Sequence, residues 1–424
     1  MSSVVRLSWR KGRRMHDTVD PDIILSHDFE SVYQPIFCPT QQKLVGYEAL
    51  VRVKRNGTPI SPVSLFELAA SQDQVFELDS HLLQRHLEHF GGKSLPVWLF
   101  LNITPQTCTQ PTASLERLAS HCRRCGIPPE RIVLELVEAA SDNTDALLDF
   151  IHRAREQGFQ IAIDDFGMGD SNFERLWRIN PLIVKLDRSL LVNAEHHIRA
   201  RMLLESLVRM IRESGSLVLL EGIENEALAR IALATEADLL QGFLFGRPGP
   251  VSKKAAEQAE TRLAQRVSQS SEWSLQDSRD QENYLRLLRF EIMETCHLVA
   301  RGVPFRAACE QLLQMDGVKR CFVLDQNGIQ QGNLARTHPD IKQVRFNPLY
   351  ESAGACWAHR EYFQKARQRP QHIHCSRPYV GLPDARRTVT LSTVLHFQEQ
   401  TQVLCVDIHP DEVFGGQLAF PDTL

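Results

Sequence analysis

Six short apolar runs recur between residues 97 and 243: VWLFLNI (97–103), RIVLELV (131–137), FQIAIDD (159–165), LIVKLD (182–187), LVLLEG (217–222) and ADLLQGF (237–243). Each is too short for a core helix and too continuously apolar for a half-exposed strand, so each reads as a strand covered on both faces. The segments between them are amphipathic. TASLERLASHCRRCGIPPERI, for example, carries a helical pattern closed by Gly126 and Pro128. Strand–helix alternation at this density predicts a closed parallel barrel rather than an open sheet. Ahead of it, VYQPIFCPTQQKLVGYEALVRV reads as two strands and a turn, so a hairpin opens the domain.

The pattern changes after about residue 250. SKKAAEQAETRLAQRVSQS (252–270) is a polar helix, and SSEWSLQDSRDQE (270–282) has the composition of a linker. NYLRLLRFEIMETCHLVARG is a second helix. KRCFVLDQNGIQQGN then suggests a hairpin around Asn327-Gly328, and RTVTLSTVLHF and TQVLCVDIH suggest paired strands. The expected fold is therefore α/β: a TIM-barrel-like domain followed by a smaller α+β domain. The expected segments are a flexible tail (1–27), the barrel (28–268), a linker with connecting helix (269–300) and the second domain (301–424).

A chain of 424 residues with 43% hydrophobic residues can bury two or three cores. The formal net charge of −4 offers no basic field for nucleic acid, and WRKGRR (9–14) reads as a solvated terminus. No run approaches the ~18 apolar residues of a membrane span, and no secretory signal is evident. Ten scattered cysteines then fit reduced thiols in a cytoplasmic protein. The C-x-x-C of HCRRC has no second pair nearby and lies in a helical stretch, so it is not read as a zinc or redox site.

The chemistry lies where polar residues fall on the apolar runs. Glu48 follows LVGY, Asn102 ends WLFL, and Glu135 interrupts IVLELV; Asp164 and Asp165 end IAI. Lys185 sits in IVKLD, Glu221 ends LVLL and Gln241 ends ADLL. In a parallel barrel the strand C-termini converge on one face, where active sites form. One such residue could be a satisfied core group; a polar residue on nearly every strand end describes a site. Five carboxylates and amide oxygens suit hard divalent cations such as Mg²⁺, Mn²⁺ or Ca²⁺, and no histidine is there to favour zinc. Adjacent aspartates can also share a metal pair that activates water for phosphoester hydrolysis.

YEALVR (47–52), LNIT (101–104), LELVE (134–138), IDDFGMGDS (163–171), VKLD (184–187), EGIE (221–224) and LLQGFLFGRP (239–248) together resemble the EAL-domain phosphodiesterases. The resemblance implies a modified TIM barrel with an antiparallel first strand, and hydrolysis of cyclic di-GMP to linear pGpG. It implies two Mg²⁺ or Mn²⁺ ions per site, with Ca²⁺ inhibitory. Glu48, Asn102, Glu135 and Asp164 would ligate one metal; Asp164 would bridge to a second, with Asp165 and Glu221 near it. Lys185 would hold the attacking water and Gln241 would bond within the metal shell. Arg52 would contact a substrate phosphate, with Gln34, Asp187 and Glu224 lining the site and Glu138 helping to order the second metal. A homodimer is also implied, and no GGDEF-like sequence suggests synthesis of the messenger.

The usual family reading after the aspartates is DFGTGYSSL; here it is DFGMGDSNF, and Ala139 replaces a common serine. The ligands and turn glycines remain, but Asp170 adds a charge near the site. A second reading follows: a weak or inactive EAL domain acting as a cyclic di-GMP receptor. Receptors of that kind commonly lose the first glutamate, a metal aspartate or the lysine, all present here. The second domain resembles PAS-like or Cache-like sensors through CSRPYVGLPDARRTVTLS (375–392), which implies a small ligand near Arg377, Tyr379 and Arg386.

Overall fold

The computed structural model describes residues 23–93, 95–109, 112–137, 144–167, 173–336, 353–381, 386–397, 400–414, 418 and 420–424. The chain divides into two compact units, Met1–Ser271 and Glu272–Leu424.

In the first unit β1 (Asp28–Cys38) and β2 (Lys43–Arg55) form the expected hairpin, and β3 (Thr58–Ile60) extends it. Then come β4 (Trp98–Ile103), β5 (Ile132–Val137), β6 (Gln160–Phe166), β7 (Ile183–Leu186), β8 (Leu217–Leu220) and β9 (Leu239–Gln241). β2 and then β4 through β9 pair in parallel in succession, and β1 closes the barrel by pairing antiparallel with both β2 and β9. The antiparallel first strand is as expected.

Strand alternation explains the whole interior. Phe100, Val133, Ala162, Ile183, Leu219 and Leu239 form an apolar layer inside the barrel with Ile36. Their neighbours, such as Leu99, Leu101, Leu134 and Ile163, point outward into the helices. Two residues past each inward apolar residue the side chain points inward again: Asn102, Glu135, Asp164, Lys185, Glu221 and Gln241. The layer packs tightly enough that a Cβ on Gly46 would lie 2.7 Å from the Phe100 ring.

A flexible tail is expected through residue 27, but residues 23–27 are structured. A short helix, Ile23–Ser26, buries Ile23 with Phe29, Leu65 and Leu78, and His27 Nδ1 lies 2.9 Å from the Ile23 carbonyl oxygen. The apolar pair in DIIL explains this anchoring; residues 1–22 lie outside the described ones.

The linker is also different from expectation. A single helix, Lys253–Ala300, absorbs both predicted helices and the 270–282 stretch between them. That stretch contains no Gly or Pro, and Ser, Gln, Asp and Glu are only mildly unfavourable or neutral in helices. Polar composition alone therefore does not end a helix. The helix places Ala259 and Leu263 in the barrel's outer core and Leu288, Ile292 and Val299 in the core of the second unit.

The second unit holds an antiparallel sheet of order β11-β10-β15-β14-β12: β10 (Val318–Leu324), β11 (Gln330–Arg336), β12 (His374–Cys375), β14 (Arg386–Phe397) and β15 (Gln400–Ile408). A further short strand, β13 (Tyr379–Gly381), pairs with β14. Asp325 Oδ1 accepts from the backbone N–H groups of Asn327 and Ile329, which builds the predicted turn. One sheet face, with Cys321, Val323, Leu404 and Val406, packs on the long helix; the other, with Phe322, Leu324 and Cys405, packs on Trp357 and helix Glu361–Gln368.

Candidate active site

The inward polar residues at the barrel's C-terminal end converge on Lys185, which is fully buried. Its Nζ lies 2.6 Å from Glu135 Oε1, 2.7 Å from Glu221 Oε1, 3.0 Å from Asp164 Oδ1 and 3.7 Å from Glu48 Oε1. Burial opposes the charge on Lys185, but Asp164, Glu135, Glu221 and Glu48 outweigh it and raise the ammonium pKa well above its ordinary value. At an effective dielectric of ~20, each contact near 3 Å contributes about 5 kcal/mol. One ammonium facing four carboxyl groups still leaves an excess of negative charge. The carboxyls show that imbalance: burial lifts Glu135 and Glu221 well above the usual range, Lys185 pulls both back, and neighbouring acids raise them again.

Lys185 satisfies Glu135 Oε1 and Glu221 Oε1, but Glu135 Oε2, Asp164 Oδ2 and Gln241 Oε1 are buried without a hydrogen-bond partner. Unsatisfied acceptors at such density are costly unless a ligand uses them. Glu48 is different. Asn102 Nδ2 donates to its Oε1 at 3.2 Å, and Gln241 Nε2 donates to its Oε2 at 2.6 Å. The two amides thus fix Glu48 with their N–H ends.

Asp165 stands beside this cluster, half-buried, at φ 57°, a left-handed conformation rare outside glycine. Its backbone N–H donates to Asp164 Oδ1 at 3.0 Å. Burial first, and then Asp164, push its carboxyl up to about 7. Strain and a displaced pKa on one residue beside a charged cluster are what functional positions carry.

The other expected residues divide. Gln34, Glu48, Glu221, Glu224 and Gln241 line one cleft with Gly222, Gly242 and Phe243. Glu224 Oε2 pairs with Arg188 Nη2 at 2.6 Å. Gly222 permits that pair: it sits at φ +67°, and a Cβ there would lie 2.4 Å from the Arg188 side chain. Asp187 caps helix Arg188–His196, accepting from the Ser189 N–H at 2.7 Å, so its side chain has a structural task. Arg52 lies exposed on β2, two alternations beyond Glu48. Glu138 and residues 168–172, the altered part of the loop, lie outside the described residues.

Sequence reasoning missed Asp79. This buried carboxylate accepts from Thr104 N–H at 3.1 Å, Thr104 Oγ1 at 2.9 Å and Thr107 Oγ1 at 2.5 Å, which ties down the exit of β4 just past Asn102. Its signal was an acid on the apolar face of VFELDSHLL. Cys122 and Cys125 of the C-x-x-C are both free thiols. In the second unit the three expected ligand residues are engaged or exposed: Arg386 pairs with Glu412 at 3.0 Å, Tyr379 Oη lies 2.6 Å from Thr390 Oγ1, and Arg377 is exposed.

Among the described residues no three His, Cys, Asp or Glu side chains stand as a ready-made metal cage; Lys185 holds the charge centre where the acids converge. No helix among them is long and apolar enough to cross a membrane.

The chain is similar to cyclic di-GMP phosphodiesterase PdeF of Escherichia coli, 27% identical over 212 residues, 49% of this chain and 28% of PdeF. It is also similar to cyclic di-GMP phosphodiesterase PdeL of E. coli, 25% identical over 254 residues, 57% of this chain and 69% of PdeL. The chain spans less than a third of an Azorhizobium caulinodans relative, 29% identical over 232 residues and matched over 31% of its length. Among solved structures, the Bacillus subtilis YkuI protein, with an EAL domain and bound c-di-GMP and calcium, shares the fold. Its TM-score is 0.71 at 21% identity, over 90% of this chain and 96% of that one. The family profile described as the EAL domain matches residues 21–248, more than half of the 424, and the chain belongs to the EAL domain family.

Proposed function

We propose that the first unit hydrolyses cyclic di-GMP to pGpG with the help of divalent cations. The observation that carries this reading is the buried acidic cluster around Lys185, which has more negative charge and more free oxygen acceptors than the protein satisfies. An anionic phosphodiester would be repelled by that cluster alone, so added positive charge is required for substrate to enter. The donor set fits: carboxylate and amide oxygens, without sulfur or imidazole, suit Mg²⁺ or Mn²⁺.

Glu48, Asn102, Glu135 and Asp164 would hold one ion, and Asp164, Asp165 and Glu221 a second. Bound there, the ions would supply Lewis acidity at phosphorus and lower the pKa of water. The remaining work belongs to the chain. Asn102 and Gln241 hold Glu48 in place through their amide N–H groups. Lys185 keeps its proton at Nζ and can donate it in a hydrogen bond that orients a water near the scissile phosphate. Gln34 and Glu224 border the cleft, and exposed Arg52 can meet a second phosphate. The names of PdeF and PdeL support the substrate class.

The second reading, a receptor that binds the dinucleotide without cutting it, rests on the altered sequence at 168–173. For the second unit we propose a regulatory role of PAS or Cache type for an unidentified small ligand, supported by its antiparallel sheet with helices on both faces. The deciding experiment is chromatographic. Full-length protein, cyclic di-GMP and Mn²⁺ should yield pGpG, and Glu48→Ala should yield none. Saturable binding without product would favour the receptor; neither binding nor product would refute both readings.

A further inference from the structure

Two charge pairs join the ends of β7 and β8. Lys185 Nζ lies 2.7 Å from Glu221 Oε1 inside the barrel; three residues further along each segment, Arg188 Nη2 lies 2.6 Å from Glu224 Oε2. The inner pair is buried. The outer one is not: 36% of the Arg188 side chain and 29% of the Glu224 side chain are exposed. A pair so open to solvent contributes little to stability. Yet the turn between β8 and helix Glu226–Ala234 is shaped around it.

The Arg188 stem lies across Gly222, where a Cβ would come within 2.4 Å of Arg188 Cβ and Cγ and 2.5 Å of Cδ. Backbone bonds hold the other side of the turn. Ile223 N–H donates to the Gln241 carbonyl at 3.2 Å, and Leu244 N–H donates to the Ile223 carbonyl at 3.0 Å. These bonds fix the turn without help from the guanidinium. What the guanidinium decides is the placement and net charge of the Glu224 side chain.

That charge stands in a sensitive place. The cleft is lined by Glu48, Glu221 and Glu224, and its lining includes no cationic side chain. Cations held by the inner acids would answer Glu48 and Glu221. Glu224 lies outside that set, and Arg188 answers it. Unpaired, its carboxylate would repel an anionic dinucleotide in the cleft.

We propose that Arg188 is a positioning residue for the dinucleotide: it holds Glu224 at the cleft wall and cancels its charge, so that substrate phosphates can settle beside it. The inference rests on the reading that this cleft takes cyclic di-GMP, but not on hydrolysis. Arg188→Met tests it, because Met keeps a stem over Gly222 and removes only the charged head. Calorimetric titration of cyclic di-GMP into the full-length protein with Ca²⁺ should show affinity ~10-fold weaker in the variant. With Mn²⁺, KM should rise by a similar factor while kcat changes less than ~3-fold. Arg188→Lys, which returns the charge, should recover most of the loss. In a Glu224→Gln background Arg188→Met should cost ~2-fold or less, since no charge remains to cancel.

The outcomes separate the inference from the reading beneath it. A wild type that does not bind cyclic di-GMP would refute both. A wild type that binds, with Arg188→Met binding as tightly, would overturn the role of Arg188 alone. So would a loss that persists in full in the Glu224→Gln background, or a fall in kcat with affinity unchanged.

Discussion

Both units bury a charge cluster on a sheet, and the two are solved differently. In the second unit Asp407 is closed on every side: Arg320 Nε donates to one oxygen, Thr390 Oγ1 donates to the other at 2.6 Å, and Tyr379 reaches the same threonine. In the barrel Lys185 faces four carboxyl groups, and Glu135 Oε2 and Asp164 Oδ2 have no hydrogen bond. A closed network tells of structure and specificity; an open one with excess charge tells of a missing ligand. Burial alone separates nothing, for both clusters are buried. The account of unused acceptors does.

That contrast can be broken in several places. The largest effect should come from Lys185→Met. Turnover of cyclic di-GMP should fall by ~10³-fold or more, in the range of positioned proton donors and charge stabilisers. Without metal the variant should also lose about 3 kcal/mol, since four carboxyl groups lose the buried counter-charge of Lys185. Mn²⁺ should recover much of that stability, as read by thermal unfolding with and without chelator. Stability that ignores Mn²⁺ would make the cluster a structural network like that of Asp407.

Asp407→Ala is the converse. It should cost about 3 kcal/mol in the second unit by stranding Arg320, and denaturant unfolding would measure it. Turnover per folded molecule should remain. A gain in stability would mean that the pair is not closed as described.

His86 sharpens the account of the barrel itself. It is buried with Nδ1 2.9 Å from Ser31 Oγ, and burial, with His89 and Arg85, lowers its pKa to about 4. The unfolded chain takes up the proton near pH 6.5, and the folded chain only near 4. Its contribution is therefore complete above pH 6.5 and lost as pH falls from 6.5 towards 4, by about 3 kcal/mol. The difference between wild type and His86→Phe should trace that window; a flat difference would contradict a buried neutral His86.

A smaller effect concerns protons. Asp165, with its carboxyl near 7, must lose its proton to ligate a cation. Mn²⁺ affinity should therefore rise with pH from 6 to 8 by about tenfold and flatten above. Affinity independent of pH there would remove Asp165 from the cation site.

The same contrast explains what the sequence could reveal. Strand alternation made Asn102, Glu135, Asp164, Lys185, Glu221 and Gln241 legible, because each stands two residues beyond an inward apolar residue. Asp79 was hidden, since its partners Thr104 and Thr107 lie 25 and 28 residues away and its own helix gave no hint of them. Glu224 stood out in the sequence as an expected site residue, but its pairing with Arg188, 36 residues earlier, and the need for Gly222 beneath it did not. The run at 270–282 misled in the other direction: polar helix and polar linker share a composition, and only the lack of Gly and Pro separates them.

The central claim is that the open cluster in the barrel is a cation site. Calorimetric titration of Mn²⁺ into chelator-treated full-length protein at pH 8 tests it without substrate. Saturable binding that is lost in both Glu135→Gln and Asp164→Asn is the predicted result. Failure of the wild type to bind, or binding as tight in both variants, would contradict it.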